Sequence, residues 1–126
     1  MNTQAFIAAY RESRNGANHF VRHPLVRSFI YSDGVQQCAE AGGYWLLDIL
    51  ATELPQQFKL HPDGYLCIVK VTVRDQSATI VGEFQDGDPD PYRRKVDYTD
   101  LPEGEWMFYL SDDGDGSITC ILPKEW

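Results

Sequence analysis

The sequence is poor in the features that most readily betray a chemistry. It has only three cysteines, Cys38, Cys67 and Cys120. They are odd in number, far apart and without a C-x-x-C pair, which argues against a disulfide framework or a zinc knuckle and points to a reducing cytoplasm. No apolar run approaches the roughly 20 residues of a membrane span, and "YWLLDILA" stops far short. The opening "MNTQAFIAAYRESR" lacks the basic start and apolar block of a signal peptide, so none is expected. There are no repeats, low-complexity tracts or linkers. Basic side chains are scarce: 11 Lys and Arg face 19 Asp and Glu, a net charge of −8. Such a balance opposes nonspecific nucleic-acid binding.

What remains is an ordinary globular composition, 43% hydrophobic and 13% aromatic over 126 residues, enough for one domain spanning 1–126 around a single core. The charge is unevenly placed. In residues 1–62 five basic side chains (Arg11, Arg14, Arg22, Arg27, Lys59) cancel five acidic ones (Glu12, Asp33, Glu40, Asp48, Glu53), so residues 63–126 carry the whole excess. Phe6, Ala9 and Tyr10 predict a first helix after Thr3, with Asn15-Gly16 as its stop. "ANHFVRHPLVRSFIYS" reads as a link broken by Pro24. Asp33 reads as an N-cap with Gln36 closing a capping box. Gly42 ends the short helix and the next begins near Gly43. Leu47, Leu50, Ala51, Leu54 and Phe58 form the inward stripe of that next helix, with Leu46 and Trp45 on its flanks. Pro55 is expected to end its regular part, and Trp45 to be buried where helices meet sheet. From Leu66 the period changes. "LCIVKVTVRD", "SATIVGEF", "YRRKVDY", "EWMFYL" and "SITCIL" alternate as strands between turn-rich separators. The expected fold is α+β: N-terminal helices on one face of a four- to five-stranded antiparallel meander, with 1–62 the helical half and 63–126 the acidic β half.

The stretch "AEAGGYWLLDIL" has the spacing of a helix-turn-helix, but its second helix offers no Lys or Arg before Lys59, so DNA reading fails. The two glycines read as architecture, allowing one helix to stop and the next to start at once. Asp48, flanked by apolar residues, needs a partner if buried, and Arg22 or Arg27 would suit. His19 and His23 have the i, i+4 spacing of a metal pair, but Pro24 takes the second out of any helix and no H-E-x-x-H glutamate follows. His19, Arg22, His23, Arg27, Asp33 and Asp48 therefore stand as a candidate anion- or partner-binding cluster. Their bland alternative is mutual neutralisation. Cys38 with a nearby histidine would resemble a thiol nucleophile; its place on an apolar helix face favours an inert thiol. Asp86, Asp88, Asp90 and Asp97 imitate a calcium loop, except that Pro91 stands where glycine is needed. With Asp112, Asp113 and Asp115 in "SDDGDG", residues Asp86, Asp88 and Asp90 are expected to crowd one rim of an up-and-down sheet. No catalytic set, metal site or cofactor is assigned.

Taken together, His23-Pro24-Leu25, Arg27, Asp33-Gly34-Val35, Ala39-Glu40 and Gly43-Tyr44-Trp45-Leu46 with Asp48 resemble a family of short uncharacterised proteins of bacteria, cyanobacteria and phages. Tyr98-Thr99-Asp100-Leu101-Pro102 matches a "TD-x-P" turn of that family, and the terminal "LPKEW" its short Leu-Pro ending. The family's pattern often has a second acidic residue after the aspartate, where this chain has Ile49 and Leu50, so a carboxylate pair is not expected there. The resemblance implies no activity. Small size and acidity confined to the sheet half suit a cytoplasmic, non-enzymatic protein-binding module of phage or mobile-element type, with a basic protein partner, and an inhibitor of a host defence system such as a CRISPR complex is one such class. The alternative is a small enzyme or anion binder using His19, Arg22, His23, Asp33 and Asp48. An enzyme should bring those five into one concave pocket.

Overall fold

The computed structural model describes residues 3–12, 19–61, 64–84, 88 and 91–125. The chain runs α1 (Thr3–Glu12), β1 (Phe20–Arg22), β2 (Phe29–Ser32), α2 (Asp33–Cys38), a wide π-type turn (Ala39–Gly43) and α3 (Tyr44–Leu60). It continues through β3 (Leu66–Arg74), β4 (Ser77–Glu83), β5 (Tyr92–Val96), β6 (Gly104–Asp112), β7 (Ile118–Ile121) and a short 3-10 turn (Pro123–Glu125). The strands form one seven-stranded sheet in the order β1-β2-β7-β6-β3-β4-β5. All neighbours are antiparallel except β2 and β7, which run parallel.

The α+β class and the five strands read from the sequence are present, but two further strands and the order differ from expectation. β1 and β2 lie inside the segment read as a link, so residues 1–62 are not wholly helical. Three and four residues are too short to display alternation, and Pro24 marks the turn between them rather than a helix break. Nor is the sheet a meander. β5 ends at one edge, yet β6 pairs with β3 on the far side of the β3–β4 hairpin. Residues 97–103 carry the chain across the hairpin's end, and "TDLP" is the strap. The Thr99 N–H donates to the Gln76 carbonyl (2.8 Å). Its buried hydroxyl accepts the Leu101 N–H (3.0 Å), and the indole N–H of Trp106 donates to the Pro102 carbonyl (2.9 Å). Asp75 and Gln76 both take positive φ, 52° and 62°, as a tight two-residue hairpin with the sheet's twist requires.

The helices cover one face of the sheet. α3 buries Leu46, Leu47, Leu50, Ala51, Leu54 and Phe58, against Val69, Val71, Ile80 and Phe108 of the sheet and their neighbours in one core. Pro55 sits inside α3, which runs on to Leu60. The missing hydrogen bond costs about 3 kcal/mol, and burial of Leu54 and Phe58 on either side of it offsets that. Gly42, at φ 122°, makes the kink before α3, as the paired glycines suggested. The cap of α2 is Ser32, not Asp33: its hydroxyl accepts the Val35 N–H (3.2 Å). Gln36 turns instead to Glu40 and the Tyr44 hydroxyl. Trp45 is half-buried at the rim of the core, and the tryptophan at the helix–sheet junction is Trp106. Its ring meets Phe6 and Tyr10 of α1 edge-to-face at 5.3 and 5.0 Å. The Tyr10 hydroxyl accepts the Met107 N–H (3.0 Å), a strand donor beyond the reach of the shorter β7.

Candidate functional site

Two polar joints hold the N-terminal strands to the rest of the molecule, and each includes residues that carry the family resemblance, His23 and Asp48 in one, Gly34 and Glu125 in the other. The first is His23, whose ring is buried at the end of β1. Nδ1 accepts the N–H groups of Leu25 and Val26, each at 3.1 Å. The other nitrogen must then carry the proton, and Nε2–H donates to Asp48 Oδ1 on α3 at 2.9 Å. Backbone bonds from His23 to Phe29 and from Phe29 to Val26 close the same turn. Neutral imidazole has one N–H and one lone pair, and both are engaged within the fold.

Asp48 therefore pairs with a histidine and not with Arg22 or Arg27, and its own side chain is 61% exposed. The Arg22 guanidinium donates to the Arg27 carbonyl. His19 is exposed; its carbonyl accepts the Asp33 N–H (3.0 Å), while Asp33 Oδ1 takes the N–H of Gly34 (3.0 Å). Among the described residues, His23–Asp48 is the one side-chain pair that the six candidates form with each other.

The second joint escaped sequence reasoning. Glu125 is buried, and its Oε1 accepts the Ser32 hydroxyl (2.6 Å) and the Leu122 N–H (2.8 Å). Its other oxygen lies 2.6 Å from where a β-carbon on Gly34 would stand. The glycine of "SDGV" is therefore room for the carboxylate of "LPKEW". With Asp33 read as the cap of the short helix, nothing local marked Ser32 or Glu125. The thiols have no such engagement. Burial pushes Cys38 and Cys67 up to about 12 and raises Cys120 as well, the Glu125 charge adding to the effect at Cys38 and Cys120. They are neutral fillers rather than nucleophiles at ordinary pH.

The acidic residues part company. Asp86 and Asp90 lie outside the described residues. Asp88 turns inward, 4% exposed, accepting the Phe84 N–H (3.3 Å) near His61 Nε2 (3.8 Å). Antiparallel pairing of β4 and of β6 to β3 brings the last residues of β4 and of β6 to one end of the sheet, with β3 between them rather than through an up-and-down order. Asp112, Asp113 and Asp115 are exposed there in a tip that folds on itself. Asp113 Oδ2 accepts the hydroxyls of Thr119 (2.6 Å) and Ser117 (3.1 Å), and bonds from the Ser117 side chain and N–H hold the Asp115 carboxyl below its usual range. Among the described residues no group of three His, Cys, Asp or Glu could hold a metal.

Among the described residues, no helix lies on the sheet's second face. Ile30, Ile68, Val81, Met107, Tyr109 and Ile121 alternate with the core positions and are half-buried. At the β1-β2-β7-β6 end this face forms an open trough of about 560 Å³. Phe20, itself 52% exposed, lines it with Ile30, Thr119, Ile121 and Ser111. Asp113, from the connection entering β7, and Glu125, from the turn leaving it, bracket the strand. None of the six cluster candidates lines this trough.

The chain is thus a helix-covered mixed sheet with one open face, built around buried polar joints. It belongs to a family of unknown function (DUF6876), whose model matches residues 8–126. No curated protein matches it, and no solved structure does. No helix among the described residues is long and apolar enough to cross a membrane.

Proposed function

We propose that this protein is a non-enzymatic binding module that engages a protein partner through the open face of its sheet. The observation that carries the reading is that face: half-buried Ile30, Ile68, Val81, Met107, Tyr109 and Ile121 set among polar neighbours such as Lys70, with no helix over them among the described residues, next to an exposed Phe20. Apolar side chains rimmed by polar ones on an uncovered face mark interaction sites on small proteins. The enzyme or anion-binder alternative is weakened because both nitrogens of His23 are committed to its own turn and to Asp48. In its finer form the proposal places the protein in the cytoplasm and among phage or mobile-element products, with inhibition of a host defence complex as its task. That form rests on the resemblance, the small size and the acidic second half.

The test is capture from lysate of the native host, with Ile68→Lys and Val81→Lys as paired controls. Both positions face outward on central strands, so the variants should fold with unchanged circular dichroism. Loss of the captured protein in both supports the reading. Retention of the same partner by both variants would overturn it.

A further inference from the structure

We infer that the trough over β7 is a seat for an extended segment of a partner protein in which Arg or Lys alternates with aliphatic residues. The inference rests on the proposed binding role of this face and names the chemistry of its occupant. Its floor, Ile30 and Ile121, is apolar, and Phe20 forms an apolar wall. Its ends are carboxylates. Asp113 is held in place by hydroxyls, a hydrogen-bonded setting that orients a charge without neutralising it. Glu125 is 8% exposed and bonded to one hydroxyl and one N–H. Neither has a basic side chain within ion-pairing distance among the described residues, where the ion pairs are His23–Asp48, His61–Asp88, Lys70–Glu105 and Arg94–Glu53.

Glu125 is satisfied by neutral donors alone, so its buried charge gains further from a nearby cation, which an arriving Arg or Lys would supply. Asp112 and Asp115 in the tip add to the same negative field, which Arg22 offsets only in part, its guanidinium held on the Arg27 carbonyl while its charge reaches Asp115. Nucleic acid has the wrong sign for such a rim. A small ligand is disfavoured by shape, since an open trough does not enclose the 70–90% of surface that such ligands bury. An extended strand lies naturally along β7, with its alternate side chains reaching down to the floor and out to the rim.

Amide chemical-shift mapping with three capped synthetic hexapeptides tests this, the peptides alternating Arg with Leu, Glu with Leu, and Arg with Gly. The Arg–Leu peptide should shift Phe20, Ile30, Asp113, Thr119 and Ile121 together. It should bind at least about tenfold more tightly than either control and weaken as salt rises. Asp113→Asn should weaken it by about tenfold, a change in an exposed loop that leaves the fold intact. Equal binding of Arg–Gly would reduce the effect to bulk charge and overturn the inference. So would shifts centred elsewhere on the acidic half, or indifference to Asp113→Asn. If Glu–Leu binds the trough as well as Arg–Leu, the face is a docking surface and the cationic preference falls alone. If no peptide shifts the trough while host capture still depends on Ile68 and Val81, the seat is wrong and the binding role stands.

Discussion

The two polar joints solve one problem in opposite ways. Each fixes the N-terminal strands by a carboxylate brought from a distant element: Asp48 from α3 to His23, and Glu125 from the last turn to Ser32. At the first joint the imidazole is buried and the carboxylate faces water, 61% exposed. At the second the carboxylate is buried with its partner. A carboxylate in water keeps most of its solvation whether or not the bond forms, so its own contribution is small. A buried one has surrendered that solvation, and everything it touches depends on it. The difference teaches that the same kind of bond carries very different weight on the two sides of the β1–β2 pair.

The comparison breaks most visibly at Glu125. Glu125→Ala leaves the buried Ser32 hydroxyl without its acceptor and the Leu122 N–H without its partner, and should cost about 3–4 kcal/mol in urea unfolding. Glu125→Gln keeps Oε1 as an acceptor for both donors, so it should cost less than about 1.5 kcal/mol. A near-neutral alanine variant would mean the joint does not hold the fold. His23→Ala comes next, at about 3 kcal/mol, for the lost ring and the orphaned N–H groups of Leu25 and Val26. His23→Asn should recover about 1 kcal/mol of this, because a short amide can cap its own turn two residues on but cannot reach Asp48. Equal losses for Ala and Asn would place the weight on ring packing.

Local pattern made the second half of the fold legible. Leu66–Arg74 alternates over nine residues and Glu105–Ser111 over seven, and the tight turn at Asp75-Gln76 announces its hairpin. The stripe of α3 was equally clear from Leu47 to Phe58. What did not show were features set by distant segments. β2 is only four residues long and is defined by its parallel pairing with β7, almost ninety positions later. The crossing at Thr99–Pro102 depends on β6 choosing β3 as a neighbour, which no local period encodes. Of the candidate cluster, His23 and Asp48 do come together, but as a structural joint. The surface proposed for binding lay in plain view as the outward half of each alternation. It could not be told from an ordinary solvated face until the half-burial of Ile68, Tyr109 and Ile121 and the bracket of Asp113 and Glu125 were seen.

Gly34→Ala sharpens the second joint without removing any of its bonds. The added methyl would meet Glu125 Oε2 at 2.6 Å and a Leu122 methyl at 3.1 Å. Because Oε1 is pinned by two donors, the carboxylate has little freedom to swing aside, and the loss should be about 2 kcal/mol. Combined with Glu125→Ala the same methyl finds space, so the double variant should be no worse than Glu125→Ala alone. A fully additive pair of losses would show that the clash lies with Leu122 instead.

The smallest effect belongs to Asp48→Ala, and it decides whether the first joint is as lopsided as its geometry. Removing the carboxylate leaves the His23 Nε2–H pointing toward the position that an exposed side chain occupied, where water can follow. The turn bonds to Nδ1 survive, since they belong to the ring and to Leu25 and Val26. The cost should therefore be about 1 kcal/mol or less, roughly a third of that for His23→Ala. In a double-mutant cycle the two should couple by about that same 1 kcal/mol, because alanine at 23 removes the donor that Asp48 serves. Loss at Asp48 equal to loss at His23 would mean that water cannot reach Nε2. The exposed carboxylate would then be a lid over a sealed donor, and the contrast with Glu125 would collapse.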